Sequence, residues 1–406
     1  MKLFYSKTNT SLINPCQNII KSSTLNVMSP RFLLTIPVLL ISISIWTLSS
    51  LENNLNWSNL SGWLSSRAIR QLFFSILAIA ISFLLVYIFK IHKKIKAIFW
   101  FNLIAGFINL SVIILDLEIR GASRWLRLGI FSLQPSEIVK VGIVMWVSYL
   151  AAFRDLKKTS ELIWFWSLPV FSFLTIWNPS FGQSDLGTAL IVILPAVAIF
   201  MIHPAVSRWY KTIFVGVMAL TIVFLSFSLV GYQKDRLGIT NFILRSESWT
   251  PSSSDDINKV CNQTNLYNTC QAVSLVANNQ LLGSLESYQS NRSLYLPERQ
   301  TDFIFASISH YLGILGSFTV ILLFAVLFIA LARISASSSP YQFYLIVGGS
   351  LTLLAQVFAN IGMNLGMLPV VGVPLPWLSY GGSHILGSFL LLFLMTYQEK
   401  SKFENG

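Results

Sequence analysis

A bundle of about ten membrane-spanning helices, with one long polar loop on one face, is the fold class the sequence predicts. Three observations predict it. Of 406 residues, 54% are hydrophobic and only 11% are charged, whereas soluble chains average roughly 25% charged. The mean hydropathy is +0.65, too apolar for a water-covered surface. The apolar residues also fall in continuous runs rather than in alternation, which favours helices over a lipid-facing barrel.

Taken in order, runs able to cross the hydrocarbon core lie near 32–50, 72–90, 97–115, 138–153, 162–178, 187–203, 212–231, 303–332, 341–363 and 380–397. The fourth and sixth are short, so their ends are the least sharply set. Between the runs, Lys and Arg cluster in the N-terminal tail, at Lys90 to Lys96, Arg154 to Lys158, Arg208 and Lys211, Arg333, and Lys400 and Lys402. In a ten-span chain every one of these segments falls on the same side. The positive-inside rule then predicts an N-in, C-in multi-pass protein. The expected organisation is a cytoplasmic tail over 1–31, a ten-span domain over 32–397 with 232–302 as a long extracytoplasmic loop, and a cytoplasmic tail over 398–406. The first apolar run is long and lacks a small-residue cleavage site, so no cleavable signal peptide is expected.

The formal net charge of +12 is not laid out as a basic stripe on a polar helix. Nucleic acid is therefore not an expected partner, and the charge is read as meeting anionic membrane lipids. The cysteines are Cys16, Cys261 and Cys270, with no zinc-type cluster. Cys261 and Cys270 share the long loop, on the expected oxidising side. They read either as a disulfide or as two independent thiols.

Four segments on the opposite side carry residues unusual beside a membrane. Residues 121–137 put Arg124, Trp125, Arg127 and Glu137 ahead of a span, as an interfacial belt or as substrate contacts. Pro135 to Glu137 also reads as a helix start. Residues 183–189 carry Gln183 and Asp185 before Gly187 and Thr188, either an N-cap or a polar cavity wall. Residues 295–306 set Glu298, Arg299 and Asp302 at the mouth of a long apolar helix. An ionisable group at that depth is a functional candidate or a cap, and the two roles are compatible. Residues 360–383, which include Ser379 and Tyr380, hold Pro369, Pro374 and Pro376 among glycines. Such a stretch cannot continue a helix, and broken backbone in a membrane belongs where it lines a cavity.

In that order, the four segments resemble the SEDS family of shape, elongation, division and sporulation proteins. Gly121 to Glu137 is similar to the family's GAxRWL…QPSE, Gln183 to Ala189 to QPDLGTA, Tyr295 to Ala306 to FLPERHTDFIFA, and Asn360 to Ser383 to NIGM…LPVxGxPLPxxSYGGS. The span count matches too, and the wording is nearer the RodA branch than the FtsW branch. The resemblance implies a peptidoglycan glycosyltransferase of the bacterial inner membrane that polymerises glycan strands from lipid II, for wall elongation and cell shape. Asp302 maps onto the family's catalytic aspartate, as general base. Arg124, Arg127 or Arg299 would neutralise the leaving diphosphate, with a divalent cation (Mg or Mn) as a further candidate. Trp125, Glu137, Gln183, Asp185, Glu298, Ser379 and Tyr380 are the other candidate substrate contacts. The implied partners are lipid II and a class B penicillin-binding transpeptidase. Readings set against this are a division homologue, a lipid-precursor flippase or transporter, and a non-catalytic scaffold. The chain departs from the pattern at Ser184, at Ser309, His310 and Tyr311 where the family has a small residue and two glutamates, and at Ala277 to Gln280 where it is Gly-rich. Of these, His310 reads either as a titrating replacement or as a polar residue satisfied in the bundle.

Overall fold

The structure is a computed structural model that describes residues 30–52, 66–114, 124–128, 131–177, 183, 185–216, 267–277, 280–283 and 296–397. Ten helices are labelled here: α1 Pro30–Leu51, α2 Arg67–Phe83, α3 Ile95–Ile114, α4 Pro135–Phe153, α5 Thr159–Trp177, α6 Leu186–Ile202, α7 Tyr267–Ala277, α8 Ile304–Ala336, α9 Pro340–Asn364 and α10 Gly382–Thr396. Among the described residues, seven helices are long and apolar enough to span a membrane, while α6 and α10 are shorter apolar helices. Nine of the runs read from the sequence are therefore helices. The remaining run, 212–231, is helical over 208–216 and then passes outside the described residues.

Three features depart from the sequence reading. The second helix begins at Arg67, several residues before the apolar run near 72, because its first turn carries arginines that hydropathy counts against a span. The long loop contains α7, whose Ala272 and Leu275 pack on Leu296, Phe303 and Ala306. A two-stranded antiparallel ribbon also joins β1 Leu126–Leu128 to β2 Phe131–Leu133, with Arg127 opposite Ser132. Cys270 in α7 is disulfide-bonded, and Cys261 lies outside the described residues.

The helices run up and down, so the bundle has two distinct ends. At one end, the Tyr341 hydroxyl donates to His92 O at 2.7 Å and His203 Nε2 meets Ala151 O at 3.0 Å. A cavity of about 490 Å³ opens there, its lining including Lys93, Phe153, Ser338 and Tyr397. The Lys-rich segments at 90–96, 154–158 and 208–211 are at this end, together with the start of α1 and the end of α10. Asp302 stands at the other end.

α8 is interrupted at Gly313, whose φ of 68° and ψ of −162° suit only glycine. Neighbouring backbone repairs the break: Ile314 N–H donates to Gln280 O at 3.2 Å and Leu315 N–H to Leu281 O at 3.3 Å. A Cβ at Gly313 would strike Gly283 N and those two carbonyls. Gly313→Val is expected to destabilise by about 1–3 kcal/mol from backbone strain alone, read as a fall in melting temperature in detergent. Gly106→Ala, which has open space around it, is the control expected to leave that temperature unchanged.

Segment 365–381 leaves the helix after α9 and turns back into the bundle. Val373, Leu375, Trp377 and Leu378 are buried, and Trp377 packs between Phe324 of α8 and Phe389 of α10. Buried non-helical backbone needs partners for its polar groups, and side chains of other helices supply them. Ser44 donates to Leu378 O at 2.6 Å, Gln71 to Ser379 O at 3.0 Å, and Asn360 to Val373 O at 2.8 Å.

Candidate active site

Asp302 lies in the turn over 297–303 that leads into α8. Glu298 closes that turn with a left-handed φ of 52°, and its carbonyl accepts from Thr301 N–H at 3.1 Å and Phe303 N–H at 3.2 Å. Phe303 and Leu296 sink beneath α7 and anchor the turn at both ends. The carbonyl of Asp302 is held from α9 by Asn360 Nδ2 at 2.8 Å and Asn364 Nδ2 at 3.1 Å. Asn364 Oδ1 in turn accepts Ala306 N–H at 3.1 Å, a donor in the first turn of α8 that would otherwise lack a helical partner.

The segment after α9 forms the first wall. Tyr380 N–H donates to Gln300 O at 2.8 Å, and Ser379 Oγ donates to Thr301 O at 2.7 Å while accepting from Leu375 N–H at 2.7 Å. Gly372, with φ of 64°, faces the carboxylate: a methyl there would come within 3.5 Å of Asp302 Oδ2. The second wall is the head of α6. Asp185 caps that helix through Thr188 N–H at 3.1 Å and the Thr188 hydroxyl at 2.9 Å. Arg124 Nη1 lies 3.4 Å from Asp185 Oδ2, and its Nε donates to Gln183 O at 3.1 Å. Gly187 allows this turn to press on Val371, since a Cβ would meet the Val371 carbonyl at 3.0 Å.

Asp302 keeps a solvent-accessible edge, yet protein crowds its carboxyl. Burial, foremost, then the negative charges of Glu298 and Asp185, push its pKa up to about 7, with Arg124 pulling the other way. That is the range in which a carboxylate serves as a general base at neutral pH.

The structure thus brings Arg124, Gln183, Asp185, Glu298, Ser379 and Tyr380 around Asp302. The candidates differ in how they are placed. Gln183, Asp185 and Ser379 are 1%, 2% and 0% exposed, hydrogen-bonded within the protein, and hold the walls rather than face open space. Glu137 is likewise closed to solvent and paired with Lys140 at 2.7 Å, inside the bundle against α10. Arg299 turns toward the end of α1, donating to Leu51 O at 3.4 Å. Trp125 is half-buried just before β1, and Arg127 sits in β1. His310 packs edge-on against Tyr311. Ser184 is outside the described residues. Among the described residues no three His, Cys, Asp or Glu groups come together as metal ligands. The sequence reading passed over Asn360 and Asn364, although two amides four residues apart on an apolar helix are costly unless bonded.

Together these features define a polytopic helical membrane protein whose broken backbone encloses a carboxylate tuned to titrate near neutrality. The chain belongs to the FtsW, RodA and SpoVE family, whose model, described as "Cell cycle protein", matches residues 30–402. It is 32% identical over 278 residues to the Escherichia coli "Peptidoglycan glycosyltransferase MrdB", covering 66% of this chain and 68% of that one. A Mesostigma viride protein named as a peptidoglycan glycosyltransferase FtsW is 31% identical over 68% of this chain, and the match spans only 62% of that relative's length. Among solved structures, Thermus thermophilus RodA superposes with a TM-score of 0.56 at 20% identity, over 90% of this chain and 97% of that one. A structure described as "Structural coordination of polymerization and crosslinking by a peptidoglycan synthase complex" gives a TM-score of 0.62 at 22% identity, over 90% and 95%. At these identities the superpositions speak for the fold.

Proposed function

We propose that this protein polymerises peptidoglycan glycan strands from lipid II, with Asp302 as the general base. The observation that carries the reading is the Asp302 carboxyl itself, clamped in place, partly open, and titrating near neutrality. Membership of a family whose relatives are named peptidoglycan glycosyltransferases supports it. In the proposed step, an Asp302 carboxylate oxygen takes the proton of the acceptor's GlcNAc 4-hydroxyl. The acceptor's O4, freed of its proton, attacks the donor's MurNAc C1 as the bond to undecaprenyl diphosphate breaks, and the anomeric centre inverts to a β-1,4 linkage.

The protein is placed in the bacterial inner membrane, with its Lys-rich end and both tails, 1–31 and 398–406, in the cytoplasm. Asp302 and the long loop 232–302 then face outward, where lipid II is polymerised. A class B penicillin-binding transpeptidase is the proposed partner. The elongation branch is favoured by the wording of residues 296–306 and 366–376, and complementation of strains depleted of RodA or of FtsW tests it. Purified protein incubated with labelled lipid II, alone and with its transpeptidase, tests the activity. No glycan product under either condition would sink the proposal.

A base must be deprotonated to act, and this one has its pKa raised. The logarithm of kcat/KM is therefore expected to climb with about unit slope below pH ~7 and to level off above it. A profile flat from about pH 5.5 to about pH 8 would assign the titration elsewhere.

A further inference from the structure

Two arginines at the head of α2 stand where elementary electrostatics disfavours them. Arg67 and Arg70 lie in the first turn, at the positive end of the helix dipole, and no acidic residue shares that turn. They also sit at the Asp302 end of the bundle, the outward face in the topology proposed above, where membrane proteins tend not to concentrate Lys and Arg. Glu52 is the counter-charge, with Arg67 Nη1 at 3.7 Å from its Oε1. That carboxylate is already engaged by Arg67 N–H at 2.8 Å and by the Ser66 hydroxyl at 2.8 Å. The Arg67 side chain remains 40% exposed.

The pair is built into the site rather than scattered near it. Arg70 lies over the Tyr380 ring at 5.8 Å from its centroid, and Tyr380 N–H is bonded to Gln300 O, two residues before Asp302. Gln71, next in the helix, donates to Ser379 O at 3.0 Å and accepts from Gly381 N–H at 3.3 Å, which locks α2 to that wall. Arg124 is paired with Asp185 and donates to Gln183 O.

We propose that Arg67 and Arg70, backed by Tyr380, form an anion site for the diphosphate of a polyprenyl-diphosphate-linked sugar. Guanidinium forks match phosphate oxygens, and a site at headgroup height meets a lipid-borne diphosphate while its chain stays in the membrane. This rests on the polymerase reading for the sugar, but not for the diphosphate.

The test uses the full chain in phosphatidylcholine nanodiscs, with undecaprenyl diphosphate as probe and undecaprenol as its phosphate-free control. R67A and R70A are each expected to weaken undecaprenyl diphosphate binding about tenfold, the double variant about a hundredfold, and R70K by less than R70A. Undecaprenol binding and melting temperature are expected to stay as in the parent. D302N is expected to bind undecaprenyl diphosphate normally. Wild-type affinity in the double variant would overturn the site, as would equal loss for undecaprenol or equal competition by phosphatidylglycerol. The two readings fail separately. Arginine-dependent binding without lipid II turnover sinks the polymerase alone, and turnover with unchanged KM in R67A/R70A sinks the arginine site alone.

Discussion

Asp302→Asn is expected to lower lipid II polymerisation by about 10²- to 10⁴-fold, the usual contribution of a positioned general base. The substitution removes the proton acceptor while keeping the side chain's size and polarity. The contacts that hold the turn survive it, because Asn360 and Asn364 grip the backbone carbonyl of residue 302 and not its side chain. Loss of a negative charge beside Glu298 and Asp185 also relieves repulsion, so folding is not expected to suffer. The effect should therefore appear in kcat, with lipid II affinity and melting temperature near those of the parent. Glycan synthesis that persists in purified D302N would move the base elsewhere. Cells that keep their shape on D302A, with no polymer made by the wild-type protein, would favour a scaffold. Lipid transfer across the membrane by D302N, again without polymerisation, would favour a transporter, which needs no base at a fixed sugar hydroxyl.

The spans were legible in the sequence because a lipid-crossing helix has no choice but to be continuously apolar. The same criterion misplaced the start of α2, where Arg67 pairs with Glu52 and Arg70 lies over the Tyr380 ring, neither of which a window average can see. The broken segment was legible for a complementary reason: Pro369, Pro374 and Pro376 rule out helix, and the backbone they free must line something. It lines Asp302, through Gly372. The clamp from α9 was not legible, since Asn360 and Asn364 meet Asp302 across 58 and 62 residues of sequence. Nor was α7, whose Tyr267–Ala277 run mixes Gln271 and Ser274 with its apolar face. Its helical stripe is too short to stand out in a loop rich in Ser, Asn and Gln.

Glu137 gives the second large effect, on stability rather than on turnover. It and Lys140 form an ion pair at 2.7 Å with side chains 2% and 3% exposed, one turn apart at the head of α4. Nearby, Gln134 N–H, just ahead of α4, donates to Ser383 Oγ at 3.0 Å, and Gly387 of α10 leaves room for the Glu137 carbonyl, 3.1 Å from where a Cβ would stand. Removing one member of such a pair leaves the other charge buried and uncompensated, which costs about 3–5 kcal/mol. Glu137→Gln and Lys140→Met are each expected to show a large fall in melting temperature in detergent. The double variant E137Q/K140M should recover most of it, because no stranded charge remains and the desolvation cost of both ions disappears. Additive losses in that cycle would show that each residue acts through other contacts. The cycle also separates the two readings of Glu137. A substrate contact would raise KM for lipid II in E137Q and leave it raised in the double variant, whereas a packing pair restores KM together with the fold.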